Sequence, residues 1–373
     1  MPRLAIIAVV FLAVGLALGA GGRALWKKFL PTQPNVSAVL GAPSPKATPP
    51  KAARITIVMQ SAFNPDISVI GEASRNLVHL VNQLSGGELE LKLTEGKVVP
   101  MQLQVGAVKD GTIDASFGWP GYLRHDIPAM ALFGSLPFGP NADELVAWML
   151  QAGGEGLLQE IYARDGLHAL MCGVIGPESG GWFRREVNNL ADLKDMKVRF
   201  GGLAGEVMTK LGADVQQIST GEVYWAFERA DIEAAELSMP SVDRDFGLHK
   251  LAKFYYFPGW HQPAAVVDFV VTKERWASLP ERARAAIETA CRANITWQMA
   301  RAINEQFAAL EFFRREGVAI RRWPDDIMRA AALATEEVML SESERNGEFK
   351  RIWTDLNNYL IHVRDWTGMS TVR

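Results

Sequence analysis

Arg199 lies in the stretch MKVRFGG between the apolar residues Val198 and Phe200. An arginine in an alternating apolar strand needs an anionic partner, because an uncompensated charge in low dielectric is costly. That partner is either a carboxylate of the fold itself or an anionic ligand. A guanidinium would hold a ligand carboxylate through two parallel hydrogen bonds, which lysine cannot reproduce. Gly201-Gly202-Leu203-Ala204-Gly205 follows directly and leads into a helical pattern, so backbone amides at that helix start could add to anion binding. A second charged position is Glu236, which closes the apolar strand DIEAAEL just before Leu237. An acid there is either a solvated strand end or an oxygen donor. Most of the eleven tryptophans must be core residues, while Trp119 and Trp260 fall in loops and could line a pocket.

The elements that must carry these residues alternate between strand and helix. ARITIVMQ, from Arg54 on, reads as a first strand, followed by a helical pattern from about Ile70 to Leu84 that Ser85-Gly86-Gly87 stops. ELELKLTE alternates as a second strand, and QLQVGAVKDG with IDASFGW reads as helix, turn and third strand. The alternation recurs downstream in LHALMCGVI, MKVRFGG, a helix from Ala204 and the strand DIEAAELS. The class is therefore α/β with a largely parallel sheet, arranged as two lobes with a cleft between them. Ser278-Leu279-Pro280-Glu281 reads as a capping box with proline in the first turn, opening a helix that runs toward Gly317 and is long enough to bridge both lobes. From Pro324 onward two amphipathic helices are expected.

Composition excludes several classes. The 373 residues, 48% of them hydrophobic, are those of a packed globular chain. Six of the 39 basic residues lie in the first 53, which hold no acid, so the remainder carries 33 basic against 42 acidic residues, a poor footprint for nucleic acid. No GxxxxGK[ST], HExxH, GxSxG or strand-borne GxGxxG occurs, and no two of the six histidines have ligand spacing on one helix. Cys172 and Cys291, 119 residues apart and without CxxC spacing, read as buried free thiols.

Nineteen uncharged residues between Arg3 and Arg23 point to export, either as a cleaved signal or as an uncleaved membrane anchor over residues 1–30. Residues 31–53, with six prolines, read as a semi-extended linker.

One continuous region, residues 178–260, carries a family likeness through GGWFRRE (180–186), LADLKDMKVRFGGLAGEVMTKLGA (190–213), QQISTGEVY (216–224) and FYYFPGW (254–260). It resembles the substrate-binding proteins of tripartite ATP-independent periplasmic (TRAP) transporters, and within them the subgroup that binds 2-oxo acids and related small carboxylates. A fainter likeness runs from Ile55 to Arg315. The resemblance implies a two-lobed periplasmic-binding-protein-like fold, with residues 54–176 and 264–303 in lobe I and 177–263 and 304–373 in lobe II. It implies a periplasmic, non-enzymatic receptor that closes on a small organic carboxylate, delivers it to TRAP membrane permease subunits, and pairs as a homodimer through the long helix and the carboxy-terminal helices. Arg199 takes the carboxylate-clamping position. Glu236 and the Leu237 backbone carbonyl take metal-ligand positions, and Leu237 stands where the subgroup usually has Trp. Glu178 and Gln262 stand where the subgroup carries a glutamine and an acid, a charge exchange that keeps the net charge if both face one cation, with Ca²⁺ or Na⁺ suited to such oxygens.

Phe117 and Trp119, with Glu178, are implied to shape the rest of the pocket. Phe117-Gly118-Trp119 replaces two tyrosines before Trp, Val174 replaces a small polar residue, and His261 stands where a second Trp is usual. These departures point to a less polar, roomier pocket and a branched or aromatic carboxylate rather than pyruvate. Two competing readings are a metal-dependent lyase or decarboxylase acting on an oxo acid, and a sensory ligand-binding lobe that signals through another chain.

Overall fold

The structure, a computed structural model, describes residues 54–370. The expected export segment and the linker lie outside the described residues. Among the described residues no helix is long and apolar enough to cross a membrane.

The first half of the chain supplies β1 (Ile55–Ser61), α1 (Glu72–Leu84), β2 (Leu89–Leu93), α2 (Gln104–Lys109), β3 (Ala115–Gly118), α3 (Ala131–Gly134), α4 (Ala142–Gln151), α5 (Gly154–Arg164) and β4 (Leu167–Ile175). The chain then crosses to β5 (Gly181–Phe183), β6 (Lys197–Arg199), α6 (Gly202–Lys210), β7 (Asp214–Val215), α7 (Val223–Glu228), β8 (Ala234–Ala235), α8 (Pro240–Phe246) and β9 (Phe254–Phe257). It returns through β10 (Ala265–Thr272) and α9 (Lys273–Ser278) to the long α10 (Glu281–Arg315), then ends in β11 (Ala319–Arg322), α11 (Asp325–Arg345) and α12 (Gly347–Ser370).

Two sheets result, ordered β2-β1-β3-β10-β4 and β11-β9-β5-β8-β6-β7. The α/β class and the two lobes match expectation, but the sheets are mixed rather than largely parallel. β10 runs antiparallel to both β3 and β4, and β5 runs antiparallel to both β8 and β9. The reason is the crossing itself: β5 and β10 are the strands on which the chain first enters the other sheet, and each enters against its neighbours. β10 is apolar except for Asp268 and its last residue, Thr272, as a central strand buried on both faces must be.

Helix α1 shows why the amphipathic pattern was legible. Ala73, Leu77 and Val81 recur at helical spacing and are fully buried against the first sheet, each large aliphatic worth about 1.5–3 kcal/mol. Helix α10 packs on β4 and α1 of the first lobe and on α8 of the second, so it does bridge them.

Three further expectations are corrected. The capping box at Ser278 does not form: Ser278 ends α9 with its hydroxyl donating to the Arg275 carbonyl, and α10 begins after Pro280 with no side-chain cap. Cys172 on β4 and Cys291 on α10 are joined as a disulfide, not free, because strand and helix lie face to face in one core. The last helix lies against both lobes rather than in lobe II alone, packing along α11 as well as on lobe I. The apolar face of α12, Phe349, Ile352, Leu356 and Leu360, packs with Trp148 of α4 in the core, and Arg364 and Arg351 pair with Glu144 and Glu160 of lobe I. α11 itself packs against α6 of lobe II.

Candidate functional site

The two chain crossings, residues 176–180 and 258–264, run side by side and bring distant residues together. The Glu178 amide donates to the Gln262 carbonyl at 3.4 Å, and the Gly259 amide donates to the Glu178 carbonyl at 3.2 Å. Gly259 is required here, since a Cβ would lie 2.4 Å from the Glu178 carbonyl oxygen. Glu178 and Gln262, 84 positions apart in sequence, therefore sit side by side on the cavity wall.

Arg199 ends β6 and Glu236 follows β8, its parallel neighbour, so both project from the carboxyl ends of adjacent strands, where open α/β sheets place ligands. Arg199 Nη1 donates to Glu236 Oε1 at 2.5 Å and to the Glu236 carbonyl at 3.0 Å. Its Nε donates to the Ile218 carbonyl, and Nη2 reaches the Thr220 hydroxyl at 3.3 Å. Four of the five guanidinium hydrogens are thus directed at the protein, and one on Nη2 is left over. The two readings of this arginine hold together: it has a structural carboxylate partner and it lines a cavity. The Gly201 amide also donates to Glu236 Oε1 at 2.8 Å, so the amide ahead of α6 serves an anion belonging to the protein.

His261 Nε2 lies 3.0 Å from Glu178 Oε2 and 3.6 Å from Glu236 Oε2. One donor atom from each of these three buried side chains falls within 4.8 Å of the others, the arrangement of a candidate cation site. Burial drives the Glu178 carboxyl above its ordinary range, helped by the negative Glu236 and opposed by the His261 contact. Burial pushes Glu236 the same way, but the Arg199 guanidinium, His261 and the Gly201 amide outweigh it and hold this carboxyl below its ordinary range. Burial lowers His261, yet its bond to Glu178 and the two negative charges raise it above the usual imidazole value. Two buried carboxylates with neighbouring amide and carbonyl groups fit a hard cation.

The cavity, about 400 Å³, is lined by Arg199, Glu178, Glu236, Leu237, His261, Gln262 and Trp119, with further residues from both lobes. Trp119 is fixed by its Nε1 donating to the Gly134 carbonyl at 3.0 Å and by edge contact with Tyr122. Phe117 does not reach the cavity. It is fully buried in the first lobe's core, whereas Trp119, just beyond the end of β3, reaches the wall. Val174 is likewise buried, and its neighbour Ile175 faces the cavity instead. Trp260 is stacked on Phe138 and buried rather than lining the pocket.

Two residues escaped the sequence reading. His261 sits at the centre of the charged cluster, whereas the sequence marked it only as a replacement for tryptophan. Tyr122 restores the phenol thought lost at Phe117-Gly118. Burial pushes it up to about 12, the Arg199 charge pulling down and Glu178 pushing up, so its ring belongs to the same electrostatic site. An aromatic in the loop after β3 was its only sequence signal.

Behind the site lies Asp243 of α8, fully buried. Its Oδ2 accepts from Trp182 Nε1 at 2.9 Å, the Tyr255 hydroxyl at 2.7 Å and the Ser179 hydroxyl at 3.2 Å, and its Oδ1 accepts from the Ser238 amide at 3.1 Å. Burial raises this carboxyl to about 8 against the pull of those donors. One side chain thereby ties together β5, β9 and the segments bearing Glu178 and Glu236.

The model of the bacterial extracellular solute-binding protein family 7 matches residues 60–345. A monocarboxylate 2-oxoacid-binding periplasmic protein of Nostoc sp. (strain PCC 7120) is 32% identical over 293 residues, covering 78% of this chain and 80% of that protein. A TRAP transporter solute-binding protein from Bordetella bronchiseptica, described with copurified calcium and picolinate in its active site, superposes with a TM-score of 0.81 at 29% identity, covering 85% of this chain and 95% of that one. A TRAP periplasmic solute-binding protein from Pseudoalteromonas atlantica, with bound sodium and pyruvate, gives a TM-score of 0.78 at 30% identity, covering 85% and 97%.

Proposed function

The chain belongs to the bacterial extracellular solute-binding protein family 7, and on that premise we propose that it is the periplasmic receptor of a TRAP transporter for a small organic carboxylate of 2-oxo or 2-hydroxy acid type. The family is one of receptors, not enzymes, so the residues described here have to bind and release rather than react. The observation that carries the reading is Arg199 on the cavity wall at the end of β6, with an uncommitted Nη2 hydrogen beside the Thr220 hydroxyl.

In this reading Arg199 Nη2 receives the ligand carboxylate, with Thr220 and the Tyr122 phenol as neighbouring donors. Glu178, Glu236, the Leu237 carbonyl and the Gln262 amide hold a hard cation, Ca²⁺ or Na⁺. When bound, that cation would polarise the ligand's 2-oxo or 2-hydroxy oxygen. Trp119 and Leu237 form the walls, and closure follows from tighter binding to the closed arrangement. Delivery is to TRAP permease subunits, residues 1–30 export or anchor the chain, and two copies pair through the long and carboxy-terminal helices. A lyase or decarboxylase reading finds no support in the family.

The test is thermal unfolding with a panel of small carboxylates, in chelator and then with Ca²⁺ or Na⁺. A ligand at 100 times its dissociation constant adds about 2.7 kcal/mol. Stabilisation by a 2-oxo or 2-hydroxy acid that needs the cation supports the reading. No response to any carboxylate, with Arg199→Ala behaving as the wild type, overturns it.

A further inference from the structure

The cation reading uses Glu178 and Glu236 and leaves Asp243 of α8 without a part, although this acid is fully buried and bonded to the segments that carry both. It does not line the cavity. We propose that Asp243 is a positioning residue for the cation, its carboxyl setting the spacing of Glu178 and Glu236; the proposal rests on the cation reading of the site.

Asp243 reaches both segments at once. Its Oδ2 accepts from the hydroxyl of Ser179, the residue after Glu178, at 3.2 Å, and its Oδ1 accepts from the amide of Ser238, just beyond Glu236, at 3.1 Å. Those segments are also joined to each other, since the Ser179 amide donates to the Ser238 carbonyl at 3.1 Å. The carboxyl in turn is anchored in the second sheet, because Trp182 Nε1 of β5 and the Tyr255 hydroxyl of β9 donate to Oδ2 at 2.9 and 2.7 Å. Only an acid fits these donors. The indole N–H is directed at one oxygen and the Ser238 amide N–H at the other, and neither donor can turn away. Asparagine presents one oxygen and one amino group, so in either orientation one buried N–H faces another donor and goes unpaired. The helix is held from two further sides. Arg244 lies 3.9 Å from Glu305 of α10, and Asp245 Oδ2 accepts from the Ser68 amide of lobe I at 2.9 Å. A carboxyl so fixed keeps two like charges at the separation a cation needs, which is how groups beyond the ligands govern metal affinity.

Titration calorimetry of the full-length protein with Ca²⁺ or Na⁺, with and without pyruvate, tests this. Asp243→Asn should weaken Ca²⁺ binding by about 10–100-fold. Saturating Ca²⁺ should then restore pyruvate binding, because the Arg199 clamp is untouched. Tyr255→Phe is the control: it removes a donor to the same Oδ2 from the sheet side, lowers the melting temperature, and leaves Ca²⁺ affinity at the wild-type value. Ser179→Ala, which cuts only the tie beside Glu178 and carries the test if Asp243→Asn does not fold, should weaken Ca²⁺ binding about fivefold, the worth of one net hydrogen bond. Wild-type Ca²⁺ affinity in folded Asp243→Asn or in Ser179→Ala, or an equal loss in Tyr255→Phe and Asp243→Asn, overturns the positioning role and leaves the cation site standing. If the wild type takes up neither Ca²⁺ nor Na⁺, the cation reading fails and the role of Asp243 with it.

Discussion

Replacing Arg199 by methionine keeps most of the stem and removes a guanidinium that is 13% exposed and paired with a carboxylate 8% exposed. Breaking a buried ion pair from one side leaves the other charge uncompensated and costs about 3–5 kcal/mol. At roughly 2 °C per kcal/mol for a folded unit of this size, the melting temperature falls by about 6–10 °C. Glu236→Met removes the other partner and costs a similar amount. The double variant removes both charges, so its loss should be smaller than the sum of the singles by about 2 kcal/mol or more. Ligand affinity behaves differently. Losing the charged contact to a carboxylate is worth at least about 2 kcal/mol, or roughly 30-fold, and the double variant cannot restore it. Thermal unfolding and titration calorimetry on the four proteins therefore separate the two roles of Arg199. If Arg199→Met loses stability but binds every carboxylate with the wild-type dissociation constant, the arginine is structural and the clamp is refuted. If the stability losses simply add, the pair does not couple and the site electrostatics described above are wrong.

Other outcomes follow from the same geometry. Glu178→Gln should weaken cation-dependent carboxylate binding at least tenfold and leave the fold intact, which a calcium titration in the presence of ligand measures. His261, raised above its usual value by Glu178 and Glu236, contributes stability that is fully present below about pH 6.5 and is lost as pH rises through its higher folded value. The difference in melting temperature between wild type and His261→Gln should thus be largest at pH 5.5–6 and shrink toward pH 9; a difference that grows with pH would refute the assigned direction. Reducing the Cys172–Cys291 disulfide, which closes a loop of more than a hundred residues, should cost about 2–5 kcal/mol, seen as a lower melting temperature in reductant and in a Cys172→Ser/Cys291→Ser double variant. Asn141→Ala, which removes the side chain capping the Glu144 amide at the start of α4, should cost about 1 kcal/mol.

Local pattern carried much of the fold. The alternation of ITIVMQS, the helical spacing of Ala73, Leu77 and Val81, and the length of α10 all depend on neighbours close in sequence, and those elements lie where the sequence places them. The antiparallel entry of β5 and β10 does not follow from local pattern, because a strand's direction is set by the route of the connection that precedes it. The face of a side chain at a strand end was equally hidden. The resemblance implies pocket positions for Phe117 and Val174, yet both are buried in the core, and the wall is reached instead by Trp119, just beyond the end of β3, and by Ile175.

The sequence by itself determined the chemistry on offer: an arginine among apolar neighbours, an acid closing a strand, and the family motifs around them. Only the tertiary structure decided the partners. Arg199 meets Glu236 because β6 and β8 are adjacent parallel strands, although 37 positions separate the two residues. His261 meets Glu178 because two chain crossings run side by side, and no local signal distinguishes an imidazole in a loop from one held between two buried carboxylates. Residue types and short-range spacing are written along the chain. The distances between groups that do the binding are set by which crossings and strand ends the packed sheets bring together.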